Sequence, residues 1–92
     1  MIVRSIVIPI INNNGATAES YIEARITARQ KIRDLMAALS QIKPHGRDYQ
    51  TACNPDAYRR DTETHNLRML FLDQLYNDME EEMEQIQKQQ GE

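Results

Sequence analysis

The residues best suited to covalent chemistry are a cysteine, two histidines and an aspartate near the middle of the chain. His45, Asp48 and Cys53 lie within nine residues of one another, and His65 follows twelve residues after the cysteine. A thiol, an imidazole and a carboxylate make a nucleophilic set when a fold brings them together. No local motif surrounds them, and His65 falls on an apolar helical seam, where a packed histidine is the simpler interpretation. The sequence therefore predicts a protein that is not an enzyme.

Metal and phosphate sites have no better support. Two histidines twenty residues apart and a single cysteine match no zinc-binding spacing. Gly15 and Gly46 stand alone, so the sequence has no glycine-rich phosphate loop. We therefore expect a protein that needs neither a metal nor a cofactor.

Arginines form the clearest polar pattern. Arg25, Arg29 and Arg33 recur every four residues, which places them in one stripe on a helix. No carboxylate lies three or four residues from any of them, so pairs within the helix do not neutralise the stripe. The stripe could pair with acids of another helix, such as Asp73 or Asp78. Alternatively, it contacts an acidic protein surface, or nucleic-acid phosphates in a salt-sensitive way.

Further candidates lie around the turn that precedes a second helix. Arginine and tyrosine are residue types that anchor interfaces, through planar donors and an amphipathic ring. We therefore add four residues to the stripe as candidate partner-binding residues: Arg47, Tyr49, Arg59 and Arg60. A connecting role stands beside this one, because Asp48 can cap the next turn.

The element that positions the stripe is a helix predicted over residues 17–42. Thr17 is a good N-cap, and the helix must end before Pro44 because the residue preceding a proline avoids helical geometry. Along one face of this helix, apolar residues recur at alternating spacings of four and three, and Arg25 is the only charged residue among them. This seam comprises Tyr21, Arg25, Ala28, Ile32, Leu35, Leu39 and Ile42.

A second helix is predicted over residues 55–88, after a hinge loop of residues 43–54. Asn54 is its cap, and Pro55 occupies the first helical position. Its seam repeats the same spacings, so the two helices should pack as an antiparallel hairpin. The seam comprises Tyr58, Thr62, His65, Met69, Leu72, Tyr76, Met79, Met83 and Ile86.

The first eleven residues, MIVRSIVIPII, carry a strand pattern. The even-numbered isoleucines share one face, and Pro9 confines such a strand to the edge of a sheet. We therefore predict one domain, residues 1–92, of mainly α (α+β) class. An N-terminal β-strand over residues 1–11 is followed by a long antiparallel helical hairpin. The strand needs a partner for its backbone groups, which the sequence does not reveal.

Three apolar side chains of the second helix point away from its seam: Leu67, Leu70 and Phe71. The helix is therefore apolar nearly all round at its middle, and such a segment must be covered on two sides. The first helix is one cover. The other is either the N-terminal strand folded back or a second molecule, so homo-oligomer formation stays open.

Charge limits the class of partner. Residues 1–72 carry ten Lys or Arg and seven Asp or Glu, whereas residues 73–92 carry one Lys and seven acids. The acidic end is either a solvated helix face or a mimic of nucleic-acid charge. The overall acidity argues against a dedicated DNA-binding domain.

The sequence also predicts where the protein is found. A single cysteine, and a short hydrophobic N-terminal run without a cleavage site, predict a cytoplasmic protein with no membrane span.

Two short segments resemble a known group of proteins. The segments NGATAESYIE (Asn14–Glu23) and PHGRDY (Pro44–Tyr49) are similar to short phage-encoded proteins of unassigned function, over roughly residues 13 to 86. Ala16 departs from the pattern, which has threonine there. In length and character the chain also resembles anti-CRISPR proteins directed at a type I (I-F-like) surveillance complex.

The resemblance implies stoichiometric binding to a host multi-subunit ribonucleoprotein complex in the host cytoplasm. Such binding would block target DNA, with the arginine stripe meeting RNA phosphates or acidic protein. The alternative function is a small nucleic-acid- or nucleotide-binding accessory protein.

Overall fold

The computed structural model describes residues 6–11, 17–50 and 54–91, and two long helices dominate them. Helix α1 spans Ala18–Ser40 and helix α2 spans Ala57–Gly91. They lie side by side, antiparallel, with a short 3₁₀ turn, Gly46–Tyr49, in the connection. The predicted mainly helical class and the helical hairpin are confirmed. The particle is a rod of 62 × 24 × 18 Å.

Local caps explain where α1 begins and ends. The Thr17 hydroxyl oxygen accepts a hydrogen bond from the Ser20 backbone N–H at 3.1 Å, so the predicted N-cap is confirmed. At the other end the N–H groups of Gln41 and Ile42 bond to carbonyls three residues back, at 3.1 and 3.0 Å. This tighter winding ends the α-helix at Ser40, two residues before the predicted end.

The connection is held by its own side chains. His45 Nδ1 accepts from the Arg47 N–H at 3.1 Å, and the Asp48 carboxylate accepts from the His45 N–H at 3.2 Å. Asp48 therefore caps the start of its own turn, three residues back, whereas the sequence led us to expect a cap on the next turn. Tyr49 then ties the turn to α2, since its hydroxyl donates to Asp61 Oδ2 at 2.7 Å and its ring lies 5.3 Å from that of Tyr58.

Helix α2 begins two residues later than predicted. The Asn54 side-chain oxygen accepts from the Asp56 N–H at 2.9 Å, and its carbonyl accepts from the Ala57 N–H at 3.2 Å. These bonds close a turn around Pro55 before regular helix starts at Ala57. Cys53, with residues 51 and 52, lies outside the described residues.

The core between the helices is a narrow stripe. Ile32 and Ile86 are buried in it, and His65 is 7% exposed, which confirms it as a packed core histidine. On α2 the predicted seam is wrong at Tyr58, which is 42% exposed, and on the first predicted helix it is wrong at Leu35 and Ile42, which are 47% and 63% exposed. Leu35 and Ile42 lie about 60° and 80° from Ile32 around the helix, beyond the width that one neighbouring helix covers.

Residues 6–11, here called the N-terminal segment, run extended along α2. The Val7 N–H donates to Glu82 Oε2 at 2.9 Å, and the Ile11 N–H donates to Gln89 Oε1 at 3.1 Å. The Gln89 amide donates in turn to the Pro9 carbonyl at 2.8 Å. The predicted N-terminal β-strand is therefore wrong over residues 6–11, where helix side chains bond the backbone at Val7, Pro9 and Ile11. Residues 1–5 of that prediction lie outside the described residues.

Within the described ranges, neither helix combines the length and apolar character needed to cross a membrane.

Candidate partner-binding surface

Arg25 is turned into the fold. Its Nε donates to Glu82 Oε1 at 2.8 Å, its Nη1 donates to the Tyr21 carbonyl at 3.1 Å, and its Nη2 donates to the Val7 carbonyl at 3.2 Å. The side chain is 14% exposed and that of Glu82 is 3% exposed. Arg25 therefore joins α1, α2 and the N-terminal segment, and it contributes little to the exposed surface.

Arg29 lies over an aromatic ring. Its guanidinium carbon is 4.1 Å from the centre of the Tyr76 ring, a distance typical of a cation–π contact. Glu80 is 3.8 Å from its Nη2, but Glu80 is 56% exposed, so this ion pair contributes little. Within the described part of the chain, the Nε of Arg29 is buried and has no hydrogen-bond partner. The ring therefore holds the guanidinium in place.

Arg33 lies one turn further along α1 and is exposed. It makes no ion pair with any residue that the structure describes. It borders an open groove of about 570 Å³ that is also lined by Ile26, Arg29, Gln30, Asp34 and Tyr76. A shallower depression of about 300 Å³ adjoins it, lined by Arg33, Met36, Asp73 and Tyr76. We call this combined surface the arginine groove.

The arginine groove can recognise anions. Two guanidinium groups on successive turns present planar sets of N–H donors, which match carboxylate or phosphate oxygens in pairs. Arg29 is held in place by Tyr76 before any ligand arrives, which lowers the entropy cost of binding. Asp34 in the groove and Asp73 in the adjoining depression would repel a ligand with a long run of negative charge.

The stripe is partly neutralised by α2, as one interpretation of the sequence expected, but not by the expected acids. Arg25 pairs with Glu82, and Arg29 lies near Glu80. Asp73 and Asp78 were expected instead. The register of the hairpin, which no pattern within one helix defines, decides which acids meet the stripe.

The hinge candidates form a separate group at one end of the rod. Arg59 pairs with Asp56 at 3.3 Å, and Arg60 lies 3.4 Å from Asp61. Arg47 is exposed. Asp61 is fifteen residues from Tyr76 on α2, about 22 Å along the helix axis, so the hinge group and the arginine groove are distinct surfaces.

Tyr49 and Asp61 shift each other's titration. Their hydrogen bond, with a smaller contribution from burial, raises the pKa of Tyr49 above its ordinary value of 10.0. The same bond holds the pKa of Asp61 below its ordinary value of 3.8, because the phenol stabilises the carboxylate. Tyr49 thus stabilises the hinge, and its hydroxyl is already bonded within the chain.

Sequence reasoning missed Tyr76 as a surface residue, because its spacing places it on the apolar seam. Ile26, Gln30 and Met36 also went unnoticed, since a groove between two helices depends on their register. No group of three or more His, Cys, Asp or Glu is placed to hold a metal ion within residues 6–11, 17–50 and 54–91. No protein-family model, curated protein or solved structure matches this chain.

Proposed function

We propose that this protein is a non-enzymatic inhibitor that binds a larger partner stoichiometrically through the arginine groove. Arg33 carries the proposal, because it is exposed and makes no ion pair within the described part of the chain. Arg29, fixed over Tyr76 at 4.1 Å, supplies a second cation one turn away. A partner that offers carboxylate or phosphate groups one helical turn apart would engage both arginines.

The resemblance to phage proteins supplies the partner class. We propose a crRNA-guided surveillance complex in the host cytoplasm, blocked so that it no longer binds target DNA. A rod of 62 Å is long enough to contact more than one subunit of such a complex. In this proposal the arginine groove meets separate acidic groups on the protein surface of the complex, because Asp34 and Asp73 would repel a continuous RNA backbone. The acidic end of α2 faces the basic channel meant for DNA.

The test measures target-DNA binding by a purified type I-F surveillance complex as this protein is added. Inhibition should saturate at a fixed small ratio of protein to complex. Arg33→Glu should raise the half-inhibitory concentration at least about tenfold, because an attractive contact becomes a repulsive one. Lys31→Glu is the matched control: Lys31 is exposed on the same helix, about 160° around it from Arg33, and this change should leave inhibition intact. Unimpaired inhibition by Arg33→Glu would refute the role of the groove.

The alternative, a nucleic-acid-binding accessory protein, uses the same two arginines. A titration of free single-stranded and duplex nucleic acid across salt concentrations separates the two functions. Phosphate binding weakens steeply with salt. Micromolar, salt-sensitive binding to free RNA or DNA, without inhibition of the surveillance complex, would favour the alternative.

A further inference from the structure

An apolar face lies on the side of the hairpin opposite the arginine groove. Five large side chains of this face are between 44% and 63% exposed: Leu35, Ile42, Leu67, Phe71 and Leu75. We propose that a second copy of this chain packs on this apolar face, so that two hairpins form a two-fold symmetric four-helix bundle.

Helix geometry places these side chains together. Leu35 lies about 60° to one side of Ile32 on α1, and Phe71 lies about 100° to the same rotational side of Leu72 on α2. Because the helices are antiparallel, the same rotation on both brings side chains to one side of the hairpin. Arg33 and Asp73 are rotated about 100° the other way, toward the groove.

The register brings the two helices' contributions level with each other. Arg25 meets Glu82, so a point ten residues later on α1, Leu35, lies beside a point ten residues earlier on α2, Leu72. Leu35 is therefore level with Phe71 and Leu75, its neighbours on the apolar face. Toward the hinge, Ile42 borders a depression whose lining is mostly polar, with Asp61, Thr64, His65 and Arg68, so the apolar face ends there.

The N-terminal segment leaves this face open. Its hydrogen bonds with α2 are to Glu82 and Gln89, which lie beyond Leu75 toward the C-terminus. Phe71 stays 52% exposed and Leu67 53% exposed beside it. Residues 6–11 thus lie along the C-terminal end of α2 and not along its apolar middle.

The size of the face matches what a dimer needs. Half of one phenylalanine and of four aliphatic side chains amounts to about 400 Å² of apolar surface. A standard interface buries about 800 Å² per partner, of which roughly 450–520 Å² is apolar. The accessible surface of the chain is 7099 Å². A compact monomer of its 10.7 kDa mass would expose about 5,500 Å², so this chain exposes more surface than a compact monomer does.

Charge along α2 selects the antiparallel arrangement of the two copies. Residues 57–70 carry three arginines and two carboxylates, whereas residues 71–88 carry six carboxylates and one lysine. A two-fold axis across the middle of the face lays the acidic half of each α2 over the basic half of the other. A parallel arrangement would set the two acidic halves against each other.

The test is the mass of the full chain in solution, measured without any partner. Light scattering during size exclusion, between about 1 and 100 µM, should give twice the 10.7 kDa of one chain. Phe71→Glu should raise the dimer dissociation constant at least about 100-fold, because each dimer loses two central apolar side chains and gains two facing charges.

Ile26→Glu is the matched control. Ile26 is 52% exposed, as Phe71 is, but it lies in the arginine groove. It should leave the dimer intact. If circular dichroism shows that Phe71→Glu loses helix, Leu35→Gln replaces it and should also weaken the dimer.

A monomer at about 100 µM would overturn the proposal, whatever covers the apolar face instead. A dimer that survives the apolar-face variants but dissociates with Ile26→Glu would also overturn it. Dimerisation is measured without a surveillance complex, so its failure says nothing against inhibition through the groove, and the converse holds too.

Discussion

Glu82→Gln is the substitution that best tests how this rod holds its N-terminal segment. Glu82 Oε1 accepts from Arg25 at 2.8 Å, and Glu82 Oε2 accepts from the Val7 N–H at 2.9 Å. The glutamine side chain has nearly the same shape but no charge. Its oxygen can still accept from Arg25, whereas its NH₂ group cannot accept from the Val7 N–H.

The expected loss follows from the burial of the pair. The side chains of Arg25 and Glu82 are 14% and 3% exposed, so solvent screens them poorly. Removing one partner of a buried ion pair costs about 3–5 kcal/mol. Arg25 keeps two carbonyl acceptors, which favours the lower end of this range, so the free energy of unfolding should fall by about 3 kcal/mol. For a chain of this size that lowers the melting temperature by about 12–24 °C.

The assay is thermal and urea denaturation followed by circular dichroism, at one fixed protein concentration so that any association is held constant. Glu80→Gln is the matched control. Glu80 is 56% exposed and 3.8 Å from Arg29, so its loss should cost less than about 0.5 kcal/mol. Amide exchange of Val7 gives a local measurement, because Glu82→Gln removes its acceptor and should speed its exchange.

A double-mutant cycle isolates the pair. Arg25→Met with Glu82→Gln leaves no lone charge, so the double variant should lose at least about 1 kcal/mol less than the two single losses combined. If Glu82→Gln is no more destabilising than Glu80→Gln, or if Val7 exchange is unchanged, the buried pair does not hold the segment and the reasoning fails.

Three further predictions concern the hinge, the groove and a cap. The bond between Tyr49 and Asp61 lowers the folded-state pKa of Asp61 below 3.8 and raises that of Tyr49 above 10.0. Its stabilisation is thus present between these values and is lost as pH falls through the lowered pKa or rises through the raised one. The difference in melting temperature between wild type and Tyr49→Phe should vanish at both extremes, and a pH-independent difference would contradict this. Tyr76→Leu keeps apolar packing but removes the cation–π contact under Arg29, so urea denaturation should show a loss of about 1 kcal/mol. Thr17→Ala should lower the free energy of unfolding by about 1 kcal/mol in the same assay, because it removes the cap. Thr17→Ser keeps the hydroxyl and is the control, with little expected loss. Equal losses for the two variants would rule out a capping role for Thr17.

The sequence determined the elements whose causes are local. Thr17 and Asn54 mark the helix starts because their side chains bond to backbone N–H groups two or three residues away. Pro44 and the residues around it separate the helices, since proline disfavours helical geometry in its neighbour. Alternating spacings of four and three then led to the antiparallel hairpin. Boundaries moved by two residues because tight turns at Ser40 and Ala57 compete with regular helix.

Only the tertiary structure decided what the side chains between these elements do. Arg25 is largely buried and joins three elements, because the register places Glu82 beside it and the Val7 carbonyl lies within 3.2 Å of it. The N-terminal segment is extended but unpaired as a strand, since side chains of both helices bond its backbone at Val7, Pro9 and Ile11. Leu35 stayed exposed because a single neighbouring helix covers only a narrow stripe. The register and the width of the contact are properties of the helix pair, so the periodicity within one helix does not predict them.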